Sequence, residues 1–262
     1  MPSLTAILIS YNEELDLPRA LASLKGIADE IILVDSGSND RTCDIARTFG
    51  ARVYARKLDS FAEQKNYAAS LSSNDWIFSI DCDHELSPEL RSSLLAWKQQ
   101  APDKSAYEIL LLTNYLGGWI WHSGWYPEFK VLLFRRDKGK FVGALHERVQ
   151  VEDRVGRLNG QLFHYTIRSL AEHRAKIETM STLAAEDMFA HGRKSWRAAM
   201  IFAPPWTIVQ RLLFQFGVLD GRRGWLIAWF SAKYIYRKFR KLGQLLAGEK
   251  LAHRSWPSPG EA

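Results

Sequence analysis

Trp76-Ile77-Phe78-Ser79-Ile80-Asp81-Cys82-Asp83 is an apolar run rich in β-formers that ends abruptly in two carboxylates one residue apart. Strand side chains alternate in direction, so Asp81 and Asp83 point the same way from a strand end and Cys82 faces away. There the two acids can share a divalent cation and its phosphate ligand. A cation so held would bridge both phosphates of a nucleotide diphosphate and stabilise charge developing on the leaving group. Mg2+ or Mn2+ suits oxygen ligands, and nothing in the spacing supplies the thiolate or imidazole set of a zinc site. Ser87-Pro88-Glu89 opens a helix directly afterwards, which makes the acidic pair part of a substrate-facing loop.

Working back toward the amino terminus, the pattern alternates. Thr5 to Ser10 reads as a strand, Leu15 to Leu24 has helical spacing, Glu30 to Val34 is a buried strand and Thr42 to Phe49 is helical. Arg52 to Ala55 is a short strand, Phe61 to Leu71 a helix, and Trp76 to Ile80 a strand. Four such units imply a parallel sheet, whose ligands bind at the carboxyl ends of its strands. The polar clusters Ser10-Tyr11-Asn12-Glu13, Asp35-Ser36-Gly37-Ser38 and Asp81-Cys82-Asp83 stand at three of those ends. Ser38 to Asp40 read as N-cap residues. An acid such as Asp35 at the end of an apolar strand is costly unless it binds something, and a uracil imide N–H is a suitable partner. No Walker lysine and no Gly-x-Gly-x-x-Gly follows these strands, which argues against P-loop and dinucleotide-cofactor readings.

Beyond Ala101, longer alternating segments at Tyr107 to Thr113, Phe129 to Arg135 and Arg157 to His164 read as strands added to make a mixed sheet. A helix is expected over Ser169 to Ala190. From Trp196 the chain is rich in Trp, Phe, Leu and Arg, with Pro204-Pro205 and Gly217 to Gly224 as breaks, and Ser255 to Ala262 reads as a loose tail. The expected organisation is one domain over 1–190, with a nucleotide half (1–100) and a second half (101–190), and a basic amphipathic extension over 191–254. In that extension Trp225, Trp229, Ala232, Tyr236 and Phe239 recur on one helical stripe flanked by Lys233, Arg237, Arg240 and Lys241. Its longest apolar run, Trp225 to Phe230, is far short of the ~20 residues a membrane span needs. The helix therefore either lies on a membrane surface or packs as core with a solvated basic edge.

The 262 residues are 47% hydrophobic and 12% aromatic, enough for a substantial core. Two cysteines, Cys43 and Cys82, form no disulfide framework and favour a reducing compartment. The first strand begins at once, without the basic region of a signal peptide, so a cytoplasmic protein is expected. The net charge of +6 is unevenly spread. From Gly192 to Arg254 thirteen Lys or Arg against two acids give +11, and the remaining 22 basic and 27 acidic residues give −5. Because the basic region reads as Trp/Leu helices without a nucleic-acid motif, a membrane surface fits it better than nucleic acid.

Ala6 to Glu14, Ile31 to Thr42, Gln64-Lys65-Asn66-Tyr67-Ala68 and Asp81-Cys82-Asp83, in that order, resemble the successive signatures of family 2 inverting glycosyltransferases. Gly124-Trp125-Tyr126-Pro127, Leu133 to Arg136, Leu145-His146-Glu147 and Gly217 to Gly224 narrow the resemblance to the bacterial lipopolysaccharide core β-1,4-glucosyltransferase subgroup. It covers roughly Leu4 to Lys241. The fold implied is GT-A, a Rossmann-like α/β nucleotide-diphospho-sugar transferase with a mixed sheet, helices on both faces and C-terminal amphipathic helices. The resemblance implies that Ser10, Tyr11, Glu13 and Asp35 hold the uridine of a UDP-sugar. It places Lys65 near the donor diphosphate and has Asp81 and Asp83 handle ribose and metal. Relatives commonly carry an acid directly after the second aspartate, where this chain has His84.

An inverting transferase needs one general base for the acceptor hydroxyl. Glu147 is the candidate, with Asp83 as the alternative; a purely local reading instead pairs Glu147 with Arg148 or Arg135. Trp125, Tyr126, Arg135 and His146 are the candidate acceptor contacts, since flat rings suit sugar faces and Arg suits phosphate. Aromatic clusters equally often form core. His122 and His164 read as satisfied structural histidines. The expected acceptor is a lipid-linked saccharide at the cytoplasmic face of the inner membrane, with glucose from UDP-glucose as donor. A polyprenyl-linked, cell-wall or peptide acceptor is the alternative, and a non-catalytic binding module fits the intact carboxylates poorly.

Overall fold

The amino-terminal strands carry apolar residues on both faces, and each face is covered by helices. The computed structural model describes residues 1–143 and 147–251. Its elements are β1 (Leu4–Ser10), α1 (Leu17–Leu24), β2 (Glu30–Asp35), α2 (Thr42–Thr48), β3 (Arg52–Ala55), α3 (Phe61–Ser70) and β4 (Trp76–Ser79). There follow β5 (His84–Leu86), α4 (Pro88–Lys98), β6 (Ala106–Tyr115), β7 (Gly118–Trp119), β8 (Glu128–Arg135), β9 (Gly139–Val142), β10 (Arg148–Val151) and β11 (Val155–Ile167). Three long helices complete the chain, α5 (Leu170–Ala190), α6 (Arg197–Val209) and α7 (Gly221–Leu246). They divide into two compact units, one of Met1–Leu112 with Glu128–Tyr165, the other of Thr113–Pro127 with everything from Thr166 onward. In this division residues 166–190 group with the C-terminal helices.

In the first unit the strand order is β3-β2-β1-β4-β8-β6-β11-β5. The expected parallel set is present: β1 pairs in parallel with β2 and with β4, and β2 with β3. The later strands are added antiparallel, β8 against both β4 and β6, and β5 against β11. This is the mixed sheet expected of a GT-A fold. Leu4, Ala6 and Leu8 pack on one face with Leu17, Leu21 and Leu24 of α1 and with Leu90 and Leu94 of α4. Ile7 turns to the other face, where Ala62 and Ala68 of α3 and Phe134 lie. Each fully buried Leu or Ile contributes roughly 1.5–3 kcal/mol of hydrophobic stabilisation, so both faces are held firmly. Helix starts follow their caps: Ser60 Oγ accepts from the Glu63 N–H at 3.2 Å, and Ser87 Oγ from the Leu90 N–H at 3.1 Å, with Pro88 in the first turn.

The second unit explains the Gly217 to Gly224 motif. A Cβ on Gly224 would stand 1.8 Å from the Gly217 carbonyl oxygen, and one on Gly217 would stand 2.5 Å from that of Arg211. Only glycine permits those approaches. Arg223 donates to the Tyr115 and Leu116 carbonyls at 3.1 and 3.2 Å. Asp220 accepts from the Trp121 N–H at 3.0 Å and the Ser123 hydroxyl at 2.7 Å. The motif is thus a clasp on the 115–123 segment, which carries aromatic rings.

Two expectations fail here. Pro204-Pro205 is no break, because both prolines lie inside α6, which runs on into a π-turn over Gln210–Phe214. Two adjacent prolines withdraw two N–H donors, and tertiary packing against α7 keeps the segment helical all the same. The α7 stripe also divides: Ala232 and Phe239 are buried, whereas Trp225, Trp229 and Tyr236 are 58%, 61% and 42% exposed. Among the described residues no helix is long and apolar enough to cross a membrane.

Candidate functional site

The carboxyl ends of β1, β2 and β4 lie side by side, Ser10 opposite Asp35 and Ile7 opposite Ser79. Cys82 turns into the core as expected, 3% exposed with its thiol against the Ile9 carbonyl at 3.3 Å, so the flanking acids turn outward. Lys65, on α3, sits beneath them. Its Nζ is 2.8 Å from Asp81 Oδ1 and 2.9 Å from Glu147 Oε1. The lysine side chain is 8% exposed, while Asp81 keeps 40% and Glu147 21%, so a buried cation holds two acids that face outward. Burial alone would lower the Lys65 pKa, and the two carboxylates reverse that and hold it raised. Burial alone would raise that of Asp81, and Lys65 first, then His84, hold it well below the usual carboxylate range. Among the described residues Glu147 is seen with Lys65 and not with Arg135. Arg135 instead holds Asp137 at 2.9 Å.

Beside this cluster lies a second one. β5 and β11 pair with His84 opposite His164, their rings 4.8 Å apart and nearly perpendicular. His164 Nε2 is 3.2 Å from Asp83 Oδ2, and His84 Nε2 is 3.8 Å from Asp83 Oδ1. Asp83, His84 and His164 each offer a ligand atom, all within 4.8 Å of one another. His84 Nε2 and His164 Nδ1 are buried without a hydrogen-bond partner, an arrangement that a bound cation or water would relieve. Burial pushes His84 down to about 4, against the opposing pull of Asp81 and Asp83, so the ring is neutral at neutral pH. Its Nδ1 accepts the Asp81 N–H at 3.2 Å, which puts the proton of the neutral ring on Nε2. His164 turns Nε2 toward Asp83 and leaves Nδ1 without a partner. The donor set thus fits a divalent cation, with Asp83 and His164 as the ligands best disposed.

His164, read from the sequence as a satisfied structural histidine, meets Asp83 through Nε2 and keeps Nδ1 without a partner, and with His84 it makes an imidazole pair. Eighty residues separate its two rings, so only the register of β5 on β11 reveals them. Alternation along β11 was the available signal, since it puts a histidine on a definite face of a strand that ends near the site.

Asp35 also differs from expectation. Its Oδ1 accepts from the hydroxyls of Ser10 at 2.8 Å and Ser38 at 2.5 Å, and its Oδ2 from the N–H groups of Gly37 at 2.9 Å and Ser38 at 2.8 Å. Burial raises its pKa, but these four donors outweigh burial and leave it lowered. The carboxylate is satisfied by its own loop, so burial cost supplies no argument for a ligand. Ser38 bonds the Asn12 N–H at 2.8 Å and Thr42 the Glu13 N–H at 2.7 Å, so residues 38–42 tie the ends of β1 and β2 together, and Asp40 Oδ1 also accepts from the first N–H of α2, that of Thr42, at 3.0 Å.

The remaining candidates scatter. Tyr11 is half-buried beside Ser10, and Glu13 starts the turn into α1, its carbonyl accepting from the Asp16 and Leu17 N–H groups. Arg135 pairs across from Trp76, at the amino end of β4, and so stands at the sheet edge opposite Asp81 and Asp83. Trp125 and Tyr126 belong to the second unit, where Trp125 packs edge-on against buried Tyr115 at 5.5 Å and Tyr126 lies 5.1 Å from exposed Trp121. His122 pairs with Asp220 at 3.4 Å, the structural role expected of it. His146 lies outside the described residues, as does the 255–262 tail.

The profile of Glycosyl transferase family 2 matches residues 5–150, the span that contains β1 to β4, Lys65, both aspartates and Glu147. The chain belongs to that family. It is a glycosyltransferase. An uncharacterized glycosyltransferase of Rickettsia typhi, RT0209, is 30% identical over 260 residues, covering 92% of this family 2 chain and 88% of the relative. The lipopolysaccharide core biosynthesis glycosyltransferase LpsC of Rhizobium meliloti is 29% identical over 271 residues, covering 95% and 98%. Among solved structures, S. aureus TarS 1-349 superposes with a TM-score of 0.46 at 13% identity, covering 98% of this chain and 95% of that one.

Proposed function

We propose that this glycosyltransferase moves a hexose, glucose from UDP-glucose, onto a sugar of the lipopolysaccharide inner core with inversion at the anomeric carbon, at the cytoplasmic face of the inner membrane. The observation that carries the chemistry is the position of Lys65, one ammonium shared by Asp81 on the donor side and by Glu147. The acceptor class is supported by the near full-length similarity to LpsC.

In this reading Ser10, Tyr11, Glu13 and Asp35 line the nucleoside end, and the satisfied Asp35 loop supplies rigidity. Glu147 accepts the proton of the acceptor hydroxyl as its oxygen bonds to the anomeric carbon. The bond from that carbon to the diphosphate breaks, and UDP departs with the electron pair. Lys65 contributes fixed positive charge next to the forming anion without reorganisation. A divalent cation, when bound by Asp83 and His164 with Asp81 nearby, supplies further charge against the diphosphate. An imidazole among the ligands favours Mn2+ over Mg2+. Trp125 and Tyr126 remain the proposed acceptor contacts, whereas Arg135 stands at the wrong end of the sheet for that role.

UDP release from a panel of UDP-sugars, with and without truncated lipopolysaccharide, tests the reading. Release that needs both one UDP-sugar and the lipopolysaccharide supports it. Release that needs a polyprenyl-linked, cell-wall or peptide acceptor instead overturns the acceptor and keeps the chemistry.

A further inference from the structure

The second unit leaves large apolar side chains in water to an extent that its own packing does not explain. α6 buries none of its 13 residues. Phe202 is 71% and Trp206 56% exposed, and Phe214 in the π-turn beyond is 65% exposed. The Trp206 and Phe214 rings stand 5.7 Å apart, so helix and turn share one patch. On α7, Trp225 and Trp229 are exposed on a stripe that Arg222 and Arg240, also exposed, extend at three- and four-residue intervals. Contiguous exposed patches of this kind mark an interaction surface.

Charge selects the occupant. From residue 192 to 251 twelve Lys or Arg accompany two acids, Asp220 and Glu249; Arg237 and Lys241 pair with Glu178, Arg211 and Arg223 donate to backbone carbonyls, and the other eight are left to the surface. Asp220 is 3% exposed and already holds the 121–123 segment, so it neutralises nothing at the surface. Two copies of so basic a face would repel each other, which disfavours self-association through it. Trp and Phe mixed with Arg and Lys on helices too polar to cross a bilayer is the chemistry of an interfacial helix on anionic lipid.

We infer that α6, the π-turn after it and the outward stripe of α7 dock on a bilayer surface bearing anionic phospholipid headgroups. The aromatic rings enter the headgroup boundary, and Arg222 and Arg240 meet headgroup phosphates. This deepens the membrane part of the proposed function and moves the main contact from α7, where the sequence pattern put it, to α6. It stands on the second unit alone.

The test is co-sedimentation of the full chain with phosphatidylcholine vesicles, with and without phosphatidylglycerol, in the absence of donor and acceptor. The wild type should bind the phosphatidylglycerol vesicles and little else. Phe202→Ser combined with Phe214→Ser should weaken that binding by about tenfold or more. Arg222→Glu combined with Arg240→Glu should weaken it by at least about tenfold and reduce its salt dependence. UDP affinity and far-UV circular dichroism should be unchanged in both, which excludes misfolding. Equal binding by the variants, or no wild-type binding to either vesicle, overturns the inference. A wild-type dimer that the Phe variants dissociate overturns it in favour of a protein contact. A failed transferase assay would leave this result standing, since neither substrate is present.

Discussion

Lys65 and Glu147 meet at 2.9 Å across 82 residues of sequence, and the same ammonium is 2.8 Å from Asp81. A carboxylate on each side of one buried lysine makes that lysine the electrostatic centre of the site.

Lys65→Met should therefore cost both stability and turnover. Leaving two acids without their shared cation destabilises by about 1–3 kcal/mol, below the value for fully buried pairs because both acids are partly exposed. UDP release should fall by about 100-fold or more. Thermal denaturation and the release assay read the two effects, and a Lys65→Met enzyme with normal turnover excludes the lysine from the chemistry.

Glu147→Gln keeps the shape and the contact to Lys65 but removes the base. Turnover should fall by about 10²–10⁴-fold, the usual contribution of a general base, while UDP affinity from calorimetry changes little. Full activity would assign the proton to another group, Asp83 first.

His164→Ala should weaken Mn2+ binding about tenfold or more, because an imidazole ligand is lost. Nitrogen modulation in the electron spin-echo spectrum of bound Mn2+ reports the ligand directly. Modulation that survives His164→Ala but disappears in His84→Ala would transfer the role to His84.

His173 gives a pH prediction in the second unit. Its Nδ1 is 2.8 Å from the Tyr115 hydroxyl and its ring 4.1 Å from that of Phe230. Burial, and then the charge of Lys176, lower its pKa from 6.5 to about 4. The unfolded chain thus takes up this proton before the folded one. Stability contributed by the neutral ring is complete above pH 6.5 and is lost as pH falls toward 4, by roughly 3 kcal/mol in all. Melting temperatures between pH 7 and 4 should drop less steeply in His173→Gln than in the wild type, which starts from the higher value.

Gly224→Ala tests the clasp. A methyl group 1.8 Å from the Gly217 carbonyl oxygen cannot be accommodated without backbone movement, so the second unit should lose roughly 1–3 kcal/mol. Asp220→Ala, which strands the buried Ser123 hydroxyl, should cost a similar amount. Limited proteolysis near residue 121 checks both.

The first hundred residues were legible because local signals there agree. Apolar runs such as Ile31 to Val34, caps such as Ser87 and the polar strand ends each point to the same parallel sheet. The acidic pair was legible for the same reason, since an abrupt change from Ile80 to Asp81 marks a strand end. What escaped was long-range. β5 is three residues long, too short for periodicity, yet it carries His84 to His164. The Lys65–Glu147 contact depends on how β9 and β10 return to α3, which no spacing encodes. The burial cost of Asp35 was overstated because the hydroxyls and N–H groups of its own loop satisfy it. On α7 two apolar stripes lie side by side, and sequence pattern alone merges the packed one with the exposed one.

The ladder between β5 and β11 has one more implication. Sliding either strand by a single residue would set Phe163 or Tyr165 opposite His84 and carry His164 to the reverse face of the sheet. A cation held by Asp83 and His164 would therefore require the native strand alignment. Ion uptake during refolding would act as a proofreader of the sheet's far edge, rewarding the native alignment and no other.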